Sequence, residues 1–464
     1  MKSICLKRKI NFWVLINKCV IRIIIGVCLF ANYVVRAQNI YFGDLHVHSE
    51  LSFDCSVPID TVYYQAQYVA NLDFVCVTDH DRFSTDSIWA IAMQKANEFY
   101  APGVFVTFLG WEYTHGDGHK IAYYDKNNGR RFVLEHSNQK QFLDSVFANG
   151  GLVHIPHPDG QWGPSDLSQY HPGVVKNIEV TGWGGYRHEY FGNPNADPYQ
   201  QPGRSVQSWL NHGKLFGLMG VSDAHNAYPV GSKGLTAVIA DSLNRKSIFE
   251  AIRKRHVYAT TNGQKIKLRF NSGNNIMGDS IYHRLYMPKQ FEFSCTGTAN
   301  IERIEVIKNN QVWRTYFPNN TEYNAQFEDR DSIYYTYYYL RITQIDGNMA
   351  WSSPIFFFQS SDSILPVFDV TWSNNYLLSQ NYPNPFNFTT TINYEICCEG
   401  FVVIKLYDIL GREIVTLVNE RKTKGLYKIP FNANGLESGI YFYIFSLKND
   451  LGGFSEQKKM VLLK

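Results

Sequence analysis

Tyr41-Phe42-Gly43-Asp44-Leu45-His46-Val47-His48 is a mostly apolar run that ends in two imidazoles. Such a run predicts a buried strand. Side chains two apart on a strand project from one face, so His46 and His48 can grip one cation together. An isolated H-x-H pair says little, but here the theme recurs. Asp54 follows six residues on, the next predicted strand ends Thr78-Asp79-His80-Asp81, and the third ends Gly110-Trp111-Glu112. Gly151-Leu152-Val153-His154-Ile155-Pro156-His157 and Val221-Ser222-Asp223-Ala224-His225 repeat it. Each group stands where a predicted strand stops. Parallel strands of an α/β barrel aim those ends at one shared mouth, where active sites form. Imidazoles and carboxylates without thiolates suit Zn, Mn or Fe in an open catalytic site better than a closed structural zinc.

Twelve of the 14 histidines fall between His46 and His225. In that region, buried strands are expected at Tyr41 to Val47, Phe74 to Thr78, Val104 to Trp111, Leu152 to Ile155, Ile178 to Thr181 and Leu215 to Val221. Helices are expected at Val62 to Ala70, Ser87 to Phe99, Gln139 to Ala148, Val206 to Asn211 and Ser247 to Arg255. Alternation of this kind predicts an α/β unit, a parallel sheet or barrel with helices outside, over residues 38–264. From residue 265 to 358 short alternating strands with turns predict a β-sandwich. Residues 359–375 read as a linker and 376–464 as a second all-β unit.

The first 37 residues carry seven Lys or Arg and no acidic residue, then an apolar stretch from Ile23 to Val35 and Val35-Arg36-Ala37. That stretch is shorter than a membrane-spanning helix, and the pattern predicts a signal peptide cleaved before Gln38. An uncleaved anchor is the alternative. Removing the leader takes seven cations from 44 and leaves 37 against 41 acidic residues, a net charge near −4 in place of +3, so nucleic-acid binding is not indicated. Five cysteines remain (Cys55, Cys76, Cys295, Cys397 and Cys398) with no metal-finger spacing. The adjacent Cys397 and Cys398 read as strand positions facing opposite ways.

The ordered histidines and carboxylates between Tyr41 and Gly263 resemble the PHP (polymerase and histidinol phosphatase) superfamily. That resemblance implies a distorted (β/α)7 barrel with two or three divalent ions. Motif by motif, it implies His46, His48, Glu112 and Asp223 at one metal. Glu112 would bridge to a second that takes His119 and His157, and Asp54, His80 and His225 would serve a third. Glu112, Asp223 and His225 would be the catalytic groups, with a hydroxide between two ions as nucleophile on a phosphoester. His115 competes with His119 and His154 with His157. Asp79 and Asp81 are expected to orient imidazoles; His136, His171, His188 and His212 are expected in loops or at the surface. Arg82, Lys120, Arg187 and Arg204 are candidate phosphate contacts, and Glu179, also at a strand end, could touch substrate or metal. The Trp-, Tyr- and Gly-rich stretch from Gly160 to Gly203 is expected to form rim loops that select a small-molecule or extracellular-polymer substrate.

At the other end, Leu378 to Asn387 (with Asn381-Tyr382-Pro383-Asn384-Pro385), Leu406 to Arg412, Leu436 to Phe442 and Lys458 to Lys464 resemble the type A sorting domain of the type IX secretion system. This resemblance implies a Bacteroidetes-like source, the type IX machinery as partner, and secretion or display at the cell surface. The chain is thus expected to be a secreted metal-dependent phosphoesterase. The alternatives are a metallohydrolase of an amide or ester bond and a metal-containing binding protein without turnover.

Overall fold

The computed structural model describes residues 38–81, 85–115, 118–126, 139–160, 167, 170–226, 228–284, 287–330, 335–360, 376–378, 380–381, 383–396, 399–423, 425–449 and 452–464. The expected signal peptide, the linker from residue 361 on, Arg82, His136 and the Cys397–Cys398 pair lie outside these residues, as does part of the Gly160 to Gly203 stretch. Of the described residues 47% are strand and 15% helix, arranged in several sheets.

The N-terminal strands are Asn39–Val47 (β1), Phe74–Val77 (β2), Val106–Tyr113 (β3), Lys120–Tyr124 (β4), Leu152–Ile155 (β5), Val175–Thr181 (β6), Gly217–Gly220 (β7), Gly234–Ala240 (β8) and Val257–Thr261 (β9). Between them lie helices Ile59–Tyr64 (α1, continued by a wider turn to Val69), Asp86–Glu98 (α2), Gln139–Ala148 (α3), Val206–Asn211 (α4) and Arg245–Arg253 (α5). Thr85 and Asn244 accept from Ile88 N and Ser247 N and so cap α2 and α5. The strands run in the order β9-β8-β1-β2-β3-β4-β5-β6-β7. β1, β2 and β3 are parallel, as are β5, β6 and β7, but β4 is antiparallel to both its neighbours, and β8 and β9 are antiparallel additions beside β1. The regular strand–helix alternation expected of a (β/α)7 barrel is therefore not observed: β4 returns from β3 without a helix, and β8 follows β7 the same way. The sheet nevertheless curls on itself. Thr236 Oγ1 on β8 donates to Gly220 O on β7 at 2.7 Å. A Cβ at Gly220 would lie 2.7 Å from Leu235 O and 2.9 Å from Thr260 O, so only glycine permits this approach.

The next strands are Lys267–Ser272 (β10), Asn275–Ile276 (β11), Ser280–Arg284 (β12), Lys289–Thr296 (β13), Ile301–Lys308 (β14), Gln311–Tyr316 (β15), Glu322–Asp329 (β16), Tyr335–Gln344 (β17), Met349–Ser352 (β18) and Ile355–Ser360 (β19). β11-β10-β13-β16 form a four-stranded sheet. It packs through Leu268, Phe270, Phe291 and Phe293 onto Ile304, Val306, Tyr338, Leu340 and Phe357 of the second sheet. That second sheet is continuous with the first region, because β18 pairs with β9 through Ala350–Thr260, Trp351–Ala259 and Ser352–Tyr258. One 15-stranded sheet thus crosses residue 264 among the described residues.

The last strands, Tyr376–Leu378 (β20), Thr389–Ile396 (β21), Gly400–Tyr407 (β22), Glu413–Lys422 (β23), Gly425–Asn432 (β24), Gly439–Asn449 (β25) and Gly452–Leu462 (β26), form two sheets, β20-β21-β24 and β23-β22-β25-β26. Ile392, Tyr394, Val402, Ile404, Phe445 and Leu447 fill the core between them.

Candidate metal centre

His46 and His48 leave the end of β1 into the interior of the curled sheet, both fully buried. His46 Nε2 lies 3.2 Å from Glu112 Oε2 and 3.3 Å from Asp223 Oδ1. His48 Nε2 lies at the same two distances from the same two oxygens. Glu112 comes from β3; its Oε2 is also 3.3 Å from His80 Nδ1, and its Oε1 is 2.7 Å from His119 Nδ1 and 3.7 Å from His157 Nε2. On the other side of His48, Asp54 Oδ2 stands 3.1 Å from both His80 Nε2 and His225 Nε2. The His48 and His225 rings stack at 4.1 Å.

Four sets among the described residues, His46–His48–Glu112, Glu112–His119–His157, His48–Asp54–His80–His225 and His46–His154–Glu179, each present nitrogens and oxygens within 4.8 Å of one another. His48 Nε2 and Asp223 Oδ1 are buried and form no hydrogen bond despite their contact distance. Buried polar atoms that face one another off a hydrogen-bonding line forfeit their desolvation cost unless a cation takes them. The donor set therefore fits divalent ions.

The electrostatics agree. Burial alone would lower both imidazoles, but the facing Asp223 and Glu112 carboxylates outweigh it, holding His46 well above its ordinary value and His48 at about 10. Burial pushes Glu112 and Asp223 upward, and the imidazoles overcome it and hold both well below the usual carboxylate range. Asp54 is likewise lowered against its burial, by His225 and His80.

The structure separates the histidines that compete in the sequence. His119 meets Glu112, whereas His115 turns outward, 3.4 Å from Asp81. His157 joins Glu112, whereas His154 Nε2 sits 3.1 Å from Glu179 Oε1. Glu179 is fully buried and presents no surface to substrate: its Oε1 is 2.9 Å from His46 Nδ1, and its Oε2 accepts from the His157 backbone N–H at 2.9 Å. It fixes the His46 ring so that Nε2 faces the other ligand atoms, as an outer carboxylate does for a metal-bound imidazole. Asp79 does not orient an imidazole; it holds Ser49 N at 2.6 Å and Ser49 Oγ at 2.7 Å. His188 lies in a loop, one of the two places expected of it, and is buried there with Nδ1 2.6 Å from Asp159 Oδ1. His212 is exposed as expected.

Of the expected phosphate contacts, Lys120 is buried and donates from Nζ to Gly118 O at 2.7 Å, and Arg187 Nη2 donates to Gly347 O at 3.5 Å. The sequence reading passed over Asp44, whose carboxylate accepts from Ser222 N at 3.1 Å, Gly231 N at 3.0 Å and His46 N at 3.3 Å, and so ties β1 to the Asp223 segment. Asp44 stands two residues before His46, on the same strand face, which was the available signal. Both His157 (φ 26°) and Asp223 (φ 48°) adopt left-handed backbone, strain of a kind that clusters at functional sites.

Residues 380–462 match the family described as the secretion system C-terminal sorting domain. The chain carries that sorting domain. It is therefore exported for secretion or the cell surface through the type IX system. Residues 60–146 and 187–293 match a family described as a protein of unknown function, DUF3604. Those segments contain His80, Glu112, His119, Asp223 and His225, whereas His46, His48, Asp54 and His157 fall outside them. Among curated proteins, an uncharacterized protein of Chlamydia pneumoniae is 26% identical over 363 residues, covering 69% of this chain and 57% of that protein. Uncharacterized proteins of Chlamydia trachomatis and Chlamydia muridarum are each 31% identical over 221 residues, covering 41% of this chain and 35% of theirs. The chain thus spans between 35% and 57% of the length of these relatives. Among solved structures, PorZ of Porphyromonas gingivalis, a surface component of the type IX system, is 19% identical over 27% of this chain and 15% of its own, with a TM-score of 0.14. The fibronectin(III)-like modules of Clostridium thermocellum CbhA align at 9% identity over 42% and 93%, TM-score 0.17, and E. coli alpha-2-macroglobulin at 7% over 52% and 20%, TM-score 0.21.

Proposed function

We propose that the chain is an exported metal-dependent hydrolase of the PHP type that acts on a phosphoester. In this account the curled sheet over residues 38–264 is a distorted form of the PHP barrel, extended by the β-sandwich of 265–358 and addressed by the sorting domain of 376–464. The observation that carries it is the sharing of Glu112. One oxygen lies within 3.2–3.3 Å of nitrogens of His46, His48 and His80, and the other lies 2.7 Å from His119. Structural histidines have no need to converge on one buried carboxylate. His46, His48, Glu112 and Asp223 would hold one divalent ion, Glu112, His119 and His157 a second, and Asp54, His80 and His225, with His48, a third.

Zn, Mn or Fe bound there would supply Lewis acidity and a water of lowered pKa for attack on phosphorus. The chain's own groups do the rest. Glu179 and Asp44 hold His46 and the Asp223 segment in place. The interior members exclude water, while Asp54 and His225 are the more exposed members, so substrate arrives from their side. A second reading, hydrolysis of an ester or amide, draws support from Lys120 and Arg187, whose cations engage backbone carbonyls.

The test is the full-length chain, stripped with chelator and reconstituted with each metal, assayed on phosphomonoesters, phosphodiesters, carboxylic esters and amides. Phosphoester turnover that disappears in Glu112→Ala, with metal content reduced and circular dichroism unchanged, is expected. A metal-loaded chain active only on esters or amides establishes the second reading, and a chain that takes up no metal ends both.

A further inference from the structure

His157 follows β5 in left-handed backbone (φ 26°) and directly precedes Pro158, a conformation that a non-glycine residue keeps only where its surroundings hold it. One hold is Glu179, whose Oε2 accepts from the His157 N–H. A second is Asp159, two residues on and fully buried. Its Oδ1 accepts from His188 Nδ1 at 2.6 Å, its Oδ2 from Gln200 Nε2 at 2.6 Å, and its carbonyl from Gln201 N at 2.7 Å. Pro158 between the two fixes its own φ, so a shift of Asp159 carries to His157. His188 is buried in turn, and its backbone is bonded to Val180 O, one residue beyond Glu179, and to Val206 N at the start of α4. Its neighbour Glu189 is the acceptor of Tyr339 Oη and Trp351 Nε1 and the ion partner of Arg341, all from β17 and β18. Gln207 of α4 donates to Tyr339 Oη at 2.8 Å, and its carbonyl accepts from Asn310 Nδ2 at 2.7 Å. A run of contacts thus leads from the β-sandwich to a ligand candidate of the metal centre.

We propose that His188 and Asp159 are positioning residues for the second ion, and that the β-sandwich serves the metal centre by fixing them through Glu189. This rests on the metal assignment above, in which His157 joins Glu112 and His119. His157 Nε2 is 3.7 Å from Glu112 Oε1, the longest of the imidazole distances around Glu112, so its place in the set depends on the turn that carries it rather than on a direct bond. Removing the His188 imidazole leaves the buried Asp159 carboxylate short of a donor, a deficit the turn relieves by moving. Loss of an outer partner in a metal site weakens binding by about 10- to 100-fold. A pair that served stability alone would weaken every ion alike, whereas positioning through His157 weakens one.

The measurement is the set of stepwise zinc dissociation constants of the full-length chain, by competition with a chromophoric chelator. His157→Ala identifies the second ion as the step it weakens. His188→Leu should weaken that same step by about tenfold and leave the others unchanged. His188→Asn, whose amide nitrogen replaces Nδ1 as donor to Asp159, should restore it. Tyr339→Phe, which removes one hydrogen bond between the sandwich and Glu189, should weaken the same step in smaller measure. If His188→Leu fails to fold, the comparison passes to Tyr339→Phe. An unchanged second step in His188→Leu, equal weakening of every step, or a His188→Asn chain no better than His188→Leu overturns the positioning role. An unchanged step in Tyr339→Phe overturns the part given to the sandwich. A chain that takes up no zinc, or a His157→Ala chain with no weakened step, overturns the metal assignment itself, and the positioning with it.

Discussion

Replacing Glu189 by alanine should be strongly destabilising although it lies outside the candidate centre. Glu189 follows Arg187 and His188 on the segment that leads from β6 to α4, and its carboxylate is buried against β17 and β18. It accepts from Tyr339 Oη at 2.7 Å, from Trp351 Nε1 at 2.8 Å and from Arg341 Nη1 at 3.0 Å to each oxygen. Burial lowers the Arg341 guanidinium, but Glu305, 2.8 Å from its Nε, and Glu189 more than offset this and raise it overall. Truncation leaves Arg341 with Glu305 alone and leaves the Tyr339 and Trp351 donors without their acceptor. Breaking a buried ion pair costs about 3–5 kcal/mol, and each orphaned donor about 1–3, partly the same energy counted twice. The net loss should be at least about 3 kcal/mol. Arg341→Met should be costly too, and the double variant should lose less than the sum by about 1–3 kcal/mol because the two groups share one network. Urea unfolding followed by tryptophan fluorescence, to which Trp351 contributes with the chain's other tryptophans, measures all three. A Glu189→Ala loss under about 1 kcal/mol, or additivity within about 0.5 kcal/mol, would refute the clamp. The consequence reaches the site, because the neighbouring His188 holds Asp159, two residues from His157.

Lys176 is buried, its Nζ donating to Pro172 O at 2.6 Å, and burial holds its ammonium well below the ordinary lysine range. The folded chain therefore binds that proton less readily than the unfolded one, and stability should rise with pH from the folded value up to about 10.5. Lys176→Met should raise the unfolding midpoint near neutral pH, and its advantage should shrink as pH approaches about 10.5; a midpoint lower than wild type at pH 7 contradicts this. With His48 held at about 10, metal binding at pH 7 must displace its proton. Calorimetry in buffers of differing ionisation enthalpy should register proton release, and apparent affinity should climb with pH until about 10. Gly220→Ala forces a Cβ against backbone oxygens of β8 and β9 and should cost about 1–3 kcal/mol of stability, read in the same urea titration.

Most of the first region was legible because its strands are uninterrupted apolar runs and its helices carry a helical spacing. Leu152–Ile155 and Gln139–Ala148 match the expected bounds, and the ligand candidates stand at strand ends because the sequence writes them there. Direction was not legible. A fully buried strand such as Lys120–Tyr124 or Gly234–Ala240 looks apolar on both faces, so nothing in it distinguishes an antiparallel return from a parallel addition, and β4, β8 and β9 went unassigned. The continuity of the sheet across residue 264 depends on β18 pairing with β9, a contact between residues about ninety apart that no local pattern records. Choosing His119 over His115 required the side-chain geometry at Glu112, since both histidines follow it closely in sequence. The sorting domain was the most legible part, because its motifs are contiguous.

The most direct measurement of the central claim is the metal stoichiometry of the full-length chain, by mass spectrometry after equilibration with Zn, Mn or Fe and removal of excess ions. The wild type should retain two or three equivalents. Glu112→Gln, which removes a charge within reach of two ligand sets, should lose about two of them, since a unit charge about 4 Å from an ion is worth about 4 kcal/mol at an effective dielectric of about 20, roughly a thousandfold in Kd. Asp54→Asn touches one set and should lose about one. A wild-type chain that is folded, equilibrated and free of metal contradicts the account.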